Sequence, residues 1–337
     1  MRAKFAAGHV DDIRKRMAVA FPDKEILIGE TGWPSAGRMR EGALPSRTNQ
    51  ARVVSEILDL AKREKFRVNL IEAYDQPWKR QLEGTVGGYW GLIDDAQRAV
   101  KYPPGEPISN YPSWKLQMGC GMALSAFVFL AGWLTLRRRP WKPRLAAWIA
   151  VGTSATTAGM LLGVAADKMY YESYGVGGWL QWGALLAAAH CLAVAVRERC
   201  DVGTAAADIP RTARTARRPD RIGADGAARV SSLIVTTLIA RGDRARLCTF
   251  DPRYRDFPFA SLTMAVVPFA ALMLLNRPKE GVRPIAESAF AGVLVVGRAL
   301  SPAFNEGNQN WQSMWTCAIY LLLALTLWRA RAVQIPK

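Results

Sequence analysis

The sequence predicts two parts of different fold class. Residues 1–112 predict α/β structure, the last two βα units of a (β/α)8 TIM barrel, because a strand, a helix and a second strand follow one another. Residues 113–337 predict a multi-spanning α-helical membrane domain, because long apolar segments recur there. Charge divides in the same way: the first part has 18 Lys/Arg against 15 Asp/Glu, and the second holds most of the net charge of +17.

Two amphipathic helices are predicted in the first part. In residues 9–20, apolar Val10, Ile13 and Met17 recur at helical spacing among charged residues, and Phe21-Pro22 ends the pattern. Residues 48–62 repeat this periodicity more clearly, so we expect a helix there, after a polar loop over residues 36–46.

The first predicted strand is a short apolar run that ends at Glu30, where Gly32 and Pro34 stop it. We expect it to be buried. In a parallel barrel this end of a strand carries catalytic residues. Glu30 lies close to Trp33, and a site that cleaves sugars needs an anion and an aromatic face. A solvated glutamate in an ordinary turn is the alternative, and spacing alone does not decide between the two.

The second predicted strand, residues 66–73, also ends among carboxylates and aromatics. A glycine-rich stretch over residues 84–91 follows it. The polar and aromatic side chains that follow the strand are Glu72, Tyr74, Asp75, Trp78 and Lys79.

These motifs carry a resemblance to a known family. ETGWPS at residues 30–35, followed about forty residues later by EAYDQPWK and then by YWGLID, resembles the C-terminal part of glycoside hydrolase family 17, the β-1,3-glucanases. Together with a membrane region, the motifs resemble bacterial proteins of that family, the BtgC-type endo-1,3-β-glucanases and the NdvC-type β-(1,6)-glucan synthases. The resemblance covers about residues 8–112.

The resemblance implies a retaining mechanism on β-1,3-(1,6-)glucan, with Glu30 as the nucleophile that forms a glycosyl-enzyme. Water as acceptor gives hydrolysis, and a sugar hydroxyl gives transglycosylation. It also implies that Glu72 supports the sugar site. By the same resemblance, Trp33, Tyr74 and Trp78 stack on sugar rings, and Asp75 and Lys79 contact sugar hydroxyls; core packing is the alternative for each aromatic residue.

The general acid/base of this mechanism has no counterpart in the sequence. The family places it in a glutamate that follows an asparagine, upstream of ETGWPS, and only 29 residues precede Glu30. The one Asn-Glu pair, Asn305-Glu306, lies between apolar segments. We therefore expect a truncated chain that has no glucanase activity by itself. The chemistry needs two carboxyl groups, so no cofactor or metal is expected.

The membrane part contains apolar segments near the length that spans a bilayer. They lie at about residues 116–136, 145–166, 177–196, 258–275, 285–300 and 312–328. Tryptophans near segment ends are typical of membrane interfaces. The basic residues lie mostly between these segments, where they indicate topology, and we expect no nucleic-acid partner. No cysteine has metal-ligand spacing.

Charges predict the orientation of the chain in a bacterial inner membrane. The first loop holds Arg137, Arg138 and Arg139 without an acid, so it is expected in the cytoplasm and residues 1–112 outside. The basic loop 197–229 suits the cytoplasm as well. With six crossings, Arg277 and Lys279 face outward against the positive-inside rule. A seventh crossing removes this conflict, but its only candidate, residues 230–240, is short, and surface folding of that stretch is the alternative.

Three functions fit the sequence. The first is a membrane-anchored β-glucan hydrolase or transglycosylase. The second is a non-catalytic glucan-binding or scaffold subunit of a membrane glucan synthase or export system, with synthase subunits as partners. A transporter ranks last, because the apolar segments hold few ionisable groups beyond His190, Glu287 and Arg298.

Overall fold

A computed structural model describes two groups of residues. They are 1–103, 105–137, 145–173, 175–180 and 182–183, and then 256–257, 259–260, 262–264, 266–267, 270, 296–297, 300 and 304–329. Most of the predicted segment 285–300 lies outside these residues. The same holds for all of the basic loop 197–229, residues 230–240 and His190. Two compact units are present. The N-terminal unit comprises Met1–Pro112, Asp251–Asp256 and Glu306–Trp311, and the helical unit comprises Ser113–Phe250, Phe257–Asn305 and Gln312–Lys337.

The N-terminal unit contains the predicted strand–helix–strand order. Its elements are α1 (Ala6–Ala20), β1 (Ile28–Thr31), α2 (Arg47–Glu64) and β2 (Val68–Leu70). The two strands pair in parallel, with Ile28 opposite Val68 and Thr31 opposite Leu70. A helix joining two parallel neighbouring strands is the βαβ unit from which parallel sheets are built.

Local sequence explains both ends of α2. Ser46 has extended backbone, and its hydroxyl accepts a hydrogen bond from the Asn49 N–H at 3.1 Å, so it caps the helix. Lys65 takes a left-handed conformation at the other end and stops the helix. Between these ends, the apolar face of Val53, Val54, Ile57 and Ala61 is buried.

The core of the N-terminal unit forms where α2 meets the start of the chain and the turn after β1. Trp33 packs there with Val53 and Ile57 of α2. Small residues before and within α1, namely Ala3, Ala6 and Ala7, complete the cluster. This packing fixes the turn after β1 against the helix that follows it.

The expectation that the first strand is buried is wrong for the described residues. Leu27 is 51% exposed, and Gly29 and Glu30 are exposed too. The reason is the small size of the sheet: among the described residues, β1 has β2 as its one strand neighbour. A strand in a parallel sheet is buried by neighbours and by helices on both faces.

An extended segment continues beside the residues that follow β2. The Glu72 N–H donates to the Trp90 carbonyl at 3.1 Å, and the Ile93 N–H donates to the Ala73 carbonyl at 2.9 Å. Tyr74 and Ile93 form an isolated parallel bridge. The short helix α3 (Arg80–Glu83) lies between the two stretches. The YWGLID motif is thereby held against the EAYDQPWK motif.

Three long helices are described besides these elements: α4 (Trp114–Arg137), α5 (Leu145–Glu172) and α6 (Trp311–Arg329), the last belonging to the helical unit from Gln312 onward. α4 and α5 pack through small residues, because a Cβ on Gly159 would overlap the Ser125 hydroxyl, and a Cβ on Gly121 would overlap the Gly159 carbonyl oxygen. The Ser125 hydroxyl donates to the Ala155 carbonyl at 2.9 Å. Among the described residues, one helix is long and apolar enough to cross a membrane, over Trp114–Ala131.

Candidate active site

Glu30 lies near the carboxyl end of β1 with its side chain exposed. Its carboxylate has no hydrogen-bond or ion-pair partner among the described residues. Immediately beyond it, the Thr31 carbonyl accepts a hydrogen bond from the Ile71 N–H at 2.9 Å. The carboxylate therefore stands at the same edge of the sheet as the segment that carries Glu72.

Gly32 allows the two strand ends to approach closely. A Cβ at this position would overlap the Ile71 carbonyl oxygen and would lie 3.4 Å from Cε3 of Trp90. Any larger residue would push the turn after Glu30 away from the segment that follows β2. The glycine of ETGWPS thus sets the distance between the two motifs.

Trp33 is buried, and its indole N–H donates to the Leu44 carbonyl at 2.9 Å. It belongs to the core cluster described above, and it also lines a cavity of about 490 Å³. Two tryptophan and two arginine residues are among those that line the cavity. The lining residues are Gly32, Trp33, Pro34, Arg38, Arg40, Ala43, Pro45, Glu83, Val86 and Trp90.

Glu72 is held by two side chains of its own loop. Its Oε1 accepts a hydrogen bond from Lys79 Nζ at 2.7 Å, and its Oε2 accepts one from the Gln76 amide. Two predicted aromatic residues of this loop are open to solvent, Tyr74 at 47% and Trp78 at 54% exposure. The loop therefore presents two aromatic side chains beside a carboxylate fixed by a cation.

Asp75 lies in a different environment from the sugar contact that the family resemblance implies. Its side chain is 3% exposed, and its Oδ1 accepts hydrogen bonds from Lys101 Nζ at 2.7 Å and from the Gly91 N–H at 2.9 Å. Lys101 Nζ also donates to the Ser35 hydroxyl at 2.7 Å. The buried pair of Asp75 and Lys101 therefore connects three motifs, ETGWPS, EAYDQPWK and YWGLID, through hydrogen bonds.

Burial governs the protonation of this pair. Removal from water raises the pKa of Asp75 and lowers the pKa of Lys101, because each charged form loses hydration. Their mutual attraction and hydrogen bond act in the opposite direction on both groups. Neither side chain reaches solvent, so the pair is structural in this arrangement.

Sequence reasoning missed two residues that hold this region together. Lys101 lies in a polar loop before two prolines, and nothing in that stretch signals a buried cation. Gln50 is fully buried on α2, and its amide donates to the Trp90 carbonyl at 3.0 Å and to the Gly91 carbonyl at 3.1 Å. A polar residue on the apolar face of the predicted helix was the one available signal.

The contacts of these carboxylates limit the chemistry that each of them can perform. Glu30 offers an exposed, unpaired carboxylate, which suits nucleophilic attack better than a carboxylate already engaged by a cation. Within the part of the chain that the structure describes, no group of three or more His, Cys, Asp or Glu side chains is placed to hold a metal ion.

Comparison with known proteins places this site in context. Residues 1–91 match the model of the BtgE/BtgC glycoside hydrolase domain. The probable family 17 glucosidase SCW10 of Saccharomyces cerevisiae is 34% identical over 70 residues, 21% of this chain and 17% of that protein. The probable beta-glucosidase btgE of Aspergillus clavatus is 35% identical over 75 residues, 22% of this chain and 13% of that protein.

A third relative, the glucan 1,3-beta-glucosidase of Candida albicans, is 32% identical over 82 residues, 24% of this chain and 26% of that protein. The chain thus spans about a quarter of the length of the third relative and less than a fifth of the length of the other two. No solved structure matches the chain. The first 91 residues, which contain Glu30 and Glu72, are therefore similar to the glycoside hydrolase domain of family 17 glucosidases.

Proposed function

We propose that this protein is a membrane-anchored β-glucan hydrolase or transglycosylase with Glu30 as its nucleophile. The observation that carries the proposal is the unpaired, exposed carboxylate of Glu30 at the carboxyl end of a parallel strand, within the stretch that is similar to a glycoside hydrolase domain. In parallel barrels, catalytic groups occupy that end.

In the proposed reaction, a Glu30 oxygen attacks the anomeric carbon and displaces the leaving sugar oxygen, and a second attack by water or a sugar hydroxyl releases the glycosyl group with net retention. Glu72 is unsuited to protonating the leaving oxygen, because Lys79 and Gln76 already occupy both of its oxygens. The Glu72 carboxylate is better suited to fixing the position of Lys79 through their hydrogen bond. The proton that the leaving oxygen takes up must therefore come from water or from a group other than Glu72.

Sugar binding is assigned to the loop after β2. Tyr74 and Trp78 present exposed aromatic side chains, and sugar rings pack their C–H faces against such rings. Lys79 Nζ lies 5.8 Å from the centre of the Trp78 ring, close enough to give a polar contact beside a stacked ring.

Membrane anchoring is assigned to the helices after residue 113. The surface of α4 exposes large apolar side chains, among them Leu116, Met122 and Phe127. A helix that exposes several large apolar side chains is expected to need a lipid or protein partner. The small residues at the α4–α5 crossing are also typical of helices that pack within a bilayer.

Oligosaccharide binding tests the assignment of the loop. Laminarin oligosaccharides are titrated into the full chain in detergent, and binding is measured by calorimetry. Trp78→Ala and Tyr74→Ala are each expected to weaken binding about tenfold, because each removes a stacking surface of about 1.5 kcal/mol. Tyr111→Ala, at another exposed tyrosine, is the control and should leave the affinity unchanged. Equal affinities for all variants would contradict the assignment.

A non-catalytic role in glucan binding is the second candidate. It is favoured because both carboxylate oxygens of Glu72 already accept hydrogen bonds, from Gln76 and Lys79. In that case the loop binds sugar while the helices scaffold a glucan synthase or exporter. Binding that depends on Trp78 without any covalent reaction at Glu30 is the result that distinguishes this role.

A further inference from the structure

We propose that Asp256 and the segment Glu306–Asn310 are structural parts of the N-terminal unit and lie on the same side of the membrane as Glu30. The inference rests on the membrane anchoring proposed above. It places Asp256 and the segment Glu306–Asn310 on one side of the membrane. The number of membrane crossings follows from these two positions.

The first observation is the burial of Glu306 against the loop that follows ETGWPS. Its Oε1 forms an ion pair with Arg38, and its Oε2 accepts a hydrogen bond from the Glu41 N–H at 3.1 Å. The two paired side chains are 3% and 7% exposed. A buried pair of this kind holds two segments in a fixed position, because removing either partner leaves an isolated charge in the interior.

Neighbouring residues extend this contact. The Asn310 amide donates to the Met39 carbonyl at 2.7 Å and to Glu306 Oε2 at 2.9 Å, and Asn310 is fully buried. Gln309 Oε1 lies 2.8 Å from the point where a Cβ on Gly42 would stand. The segment therefore fits the loop over residues 38–42 through backbone and side-chain groups together.

A second contact is independent of the first. The Thr85 hydroxyl donates to Asp256 Oδ2 at 2.6 Å, and Thr85 belongs to the glycine-rich stretch of the N-terminal unit. Asp256 precedes the predicted apolar segment 258–275, whereas Glu306 precedes the segment 312–328. The residues that precede two different apolar segments therefore both contact the N-terminal unit.

The number of crossings follows by parity. Two points on one side of a membrane are separated by an even number of crossings. Three apolar segments are predicted between residue 112 and Asp256, an odd number, so six crossings disagree with these contacts and the seven-crossing alternative agrees with them. Two are predicted between Asp256 and Glu306, and none needs to be added there. The chain then crosses seven times and ends on the side opposite to Glu30.

Charge supports this arrangement without reference to the contacts. With seven crossings, Arg277 and Lys279 lie on the same side as the first basic loop, and Arg329 and Arg331 join them. These two basic segments then obey the positive-inside rule, which six crossings violate, whereas Arg241, Arg244 and Arg246, which follow residues 230–240, lie on the outer side.

Cysteine labelling in intact cells tests the inference. In the full chain with its five cysteines replaced, Asn308→Cys lies in the exposed part of the segment, Lys62→Cys marks the N-terminal unit, and Arg138→Cys marks the first basic loop. A membrane-impermeant maleimide should label Asn308→Cys and Lys62→Cys alike, and Arg138→Cys only after permeabilisation. Labelling of Asn308→Cys together with Arg138→Cys, and not with Lys62→Cys, would overturn the inference.

The same variants separate this inference from the orientation it rests on. If Lys62→Cys itself needs permeabilisation, the domain is cytoplasmic and that part of the proposed function fails. The inference stands in that case if Asn308→Cys behaves like Lys62→Cys.

Hydrogen exchange gives a second measurement on a chain that keeps its cysteines. Glu306→Gln should raise amide exchange in residues 36–42 by more than about tenfold, because it removes the negative charge that pairs with the buried Arg38 guanidinium. Asn308→Ala, an exposed position in the same segment, is the control and should leave exchange unchanged. Equal exchange in the wild type and in Glu306→Gln would show that the segment does not hold the loop.

Discussion

The polar side chains near Glu30 divide by what they contact. Glu30 is unpaired among the described residues, Glu72 is held by its own loop, and Asp75 is buried against Lys101. The sequence motifs predicted that all three carboxylates lie at the ends of strands, because the order of residues along the chain determines which side chains follow a strand. They did not distinguish an open carboxylate from a buried one, because the partner Lys101 comes from a loop without any recognisable pattern.

Lys101→Met tests the structural role of the buried pair. The change leaves Asp75 in the interior without a counter-charge, so we expect a loss of about 3–5 kcal/mol in the free energy of opening of the N-terminal unit. Hydrogen exchange of β2 and of residues 89–93 in the full chain measures this loss. The double variant Asp75→Asn/Lys101→Met removes both charges and should recover much of it. A double variant as unstable as the single one would contradict the account.

Asp11 predicts a dependence of stability on pH. It is buried on α1; burial by itself raises its pKa, but hydrogen bonds from Lys15 and Arg14 outweigh this effect and lower it. A lowered folded-state pKa adds stability above the unfolded value of about 3.9, and this stability is lost as the pH falls through the folded-state pKa.

Asp11→Asn should therefore cost about 1.5–3 kcal/mol at pH 7, and the cost should shrink as the pH falls from the unfolded value of about 3.9 through the lower folded-state pKa. Amide exchange in α1 and α2, measured across this range, reports the difference from wild type. Asp12→Asn, at the exposed neighbouring residue, should show no such dependence. A cost that stays constant with pH would exclude a charge effect at Asp11.

At the scale of elements, periodicity predicted what local sequence controls. The helices over residues 9–20 and 48–62 are α1 and α2, and the two strands pair in parallel as predicted. The second strand is shorter than predicted, because the hydrogen bonds of residues 72–75 go to the segment 90–93 and not to β1. Such long-range pairing leaves no periodic signal in the sequence.

The α4–α5 crossing gives a prediction with a matched control on the same helix. Gly159→Ala places a methyl group on the Ser125 hydroxyl, so the helices must separate and the thermal stability of the full chain in detergent should fall. Gly152→Ala meets no atom within 4 Å and should raise helix stability by about 1 kcal/mol, since alanine is the better helix former. Equal shifts in Tm for the two variants would show that the small residues do not set the crossing.

At the scale of the whole molecule, composition predicted the change from α/β sequence to apolar sequence near residue 113. Periodicity and charge alone left six and seven crossings open, because the positive-inside rule counts charges and carries no information on distant contacts. Glu306 illustrates the point. In the sequence it is part of an isolated Asn-Glu pair between apolar segments, and in the structure it is buried against Arg38.

The central claim is that Glu30 is a sugar nucleophile, and an activated substrate tests it without a proton donor. A 2-deoxy-2-fluoro-β-glucoside with a dinitrophenolate leaving group needs no acid to depart, and the fluorine slows release of the glycosyl-enzyme. After incubation with the full chain, mass spectrometry of the peptide that contains Glu30 is expected to show a covalent fluoroglucosyl adduct, absent in Glu30→Gln. An unmodified Glu30, or an adduct that persists in Glu30→Gln, would contradict the account.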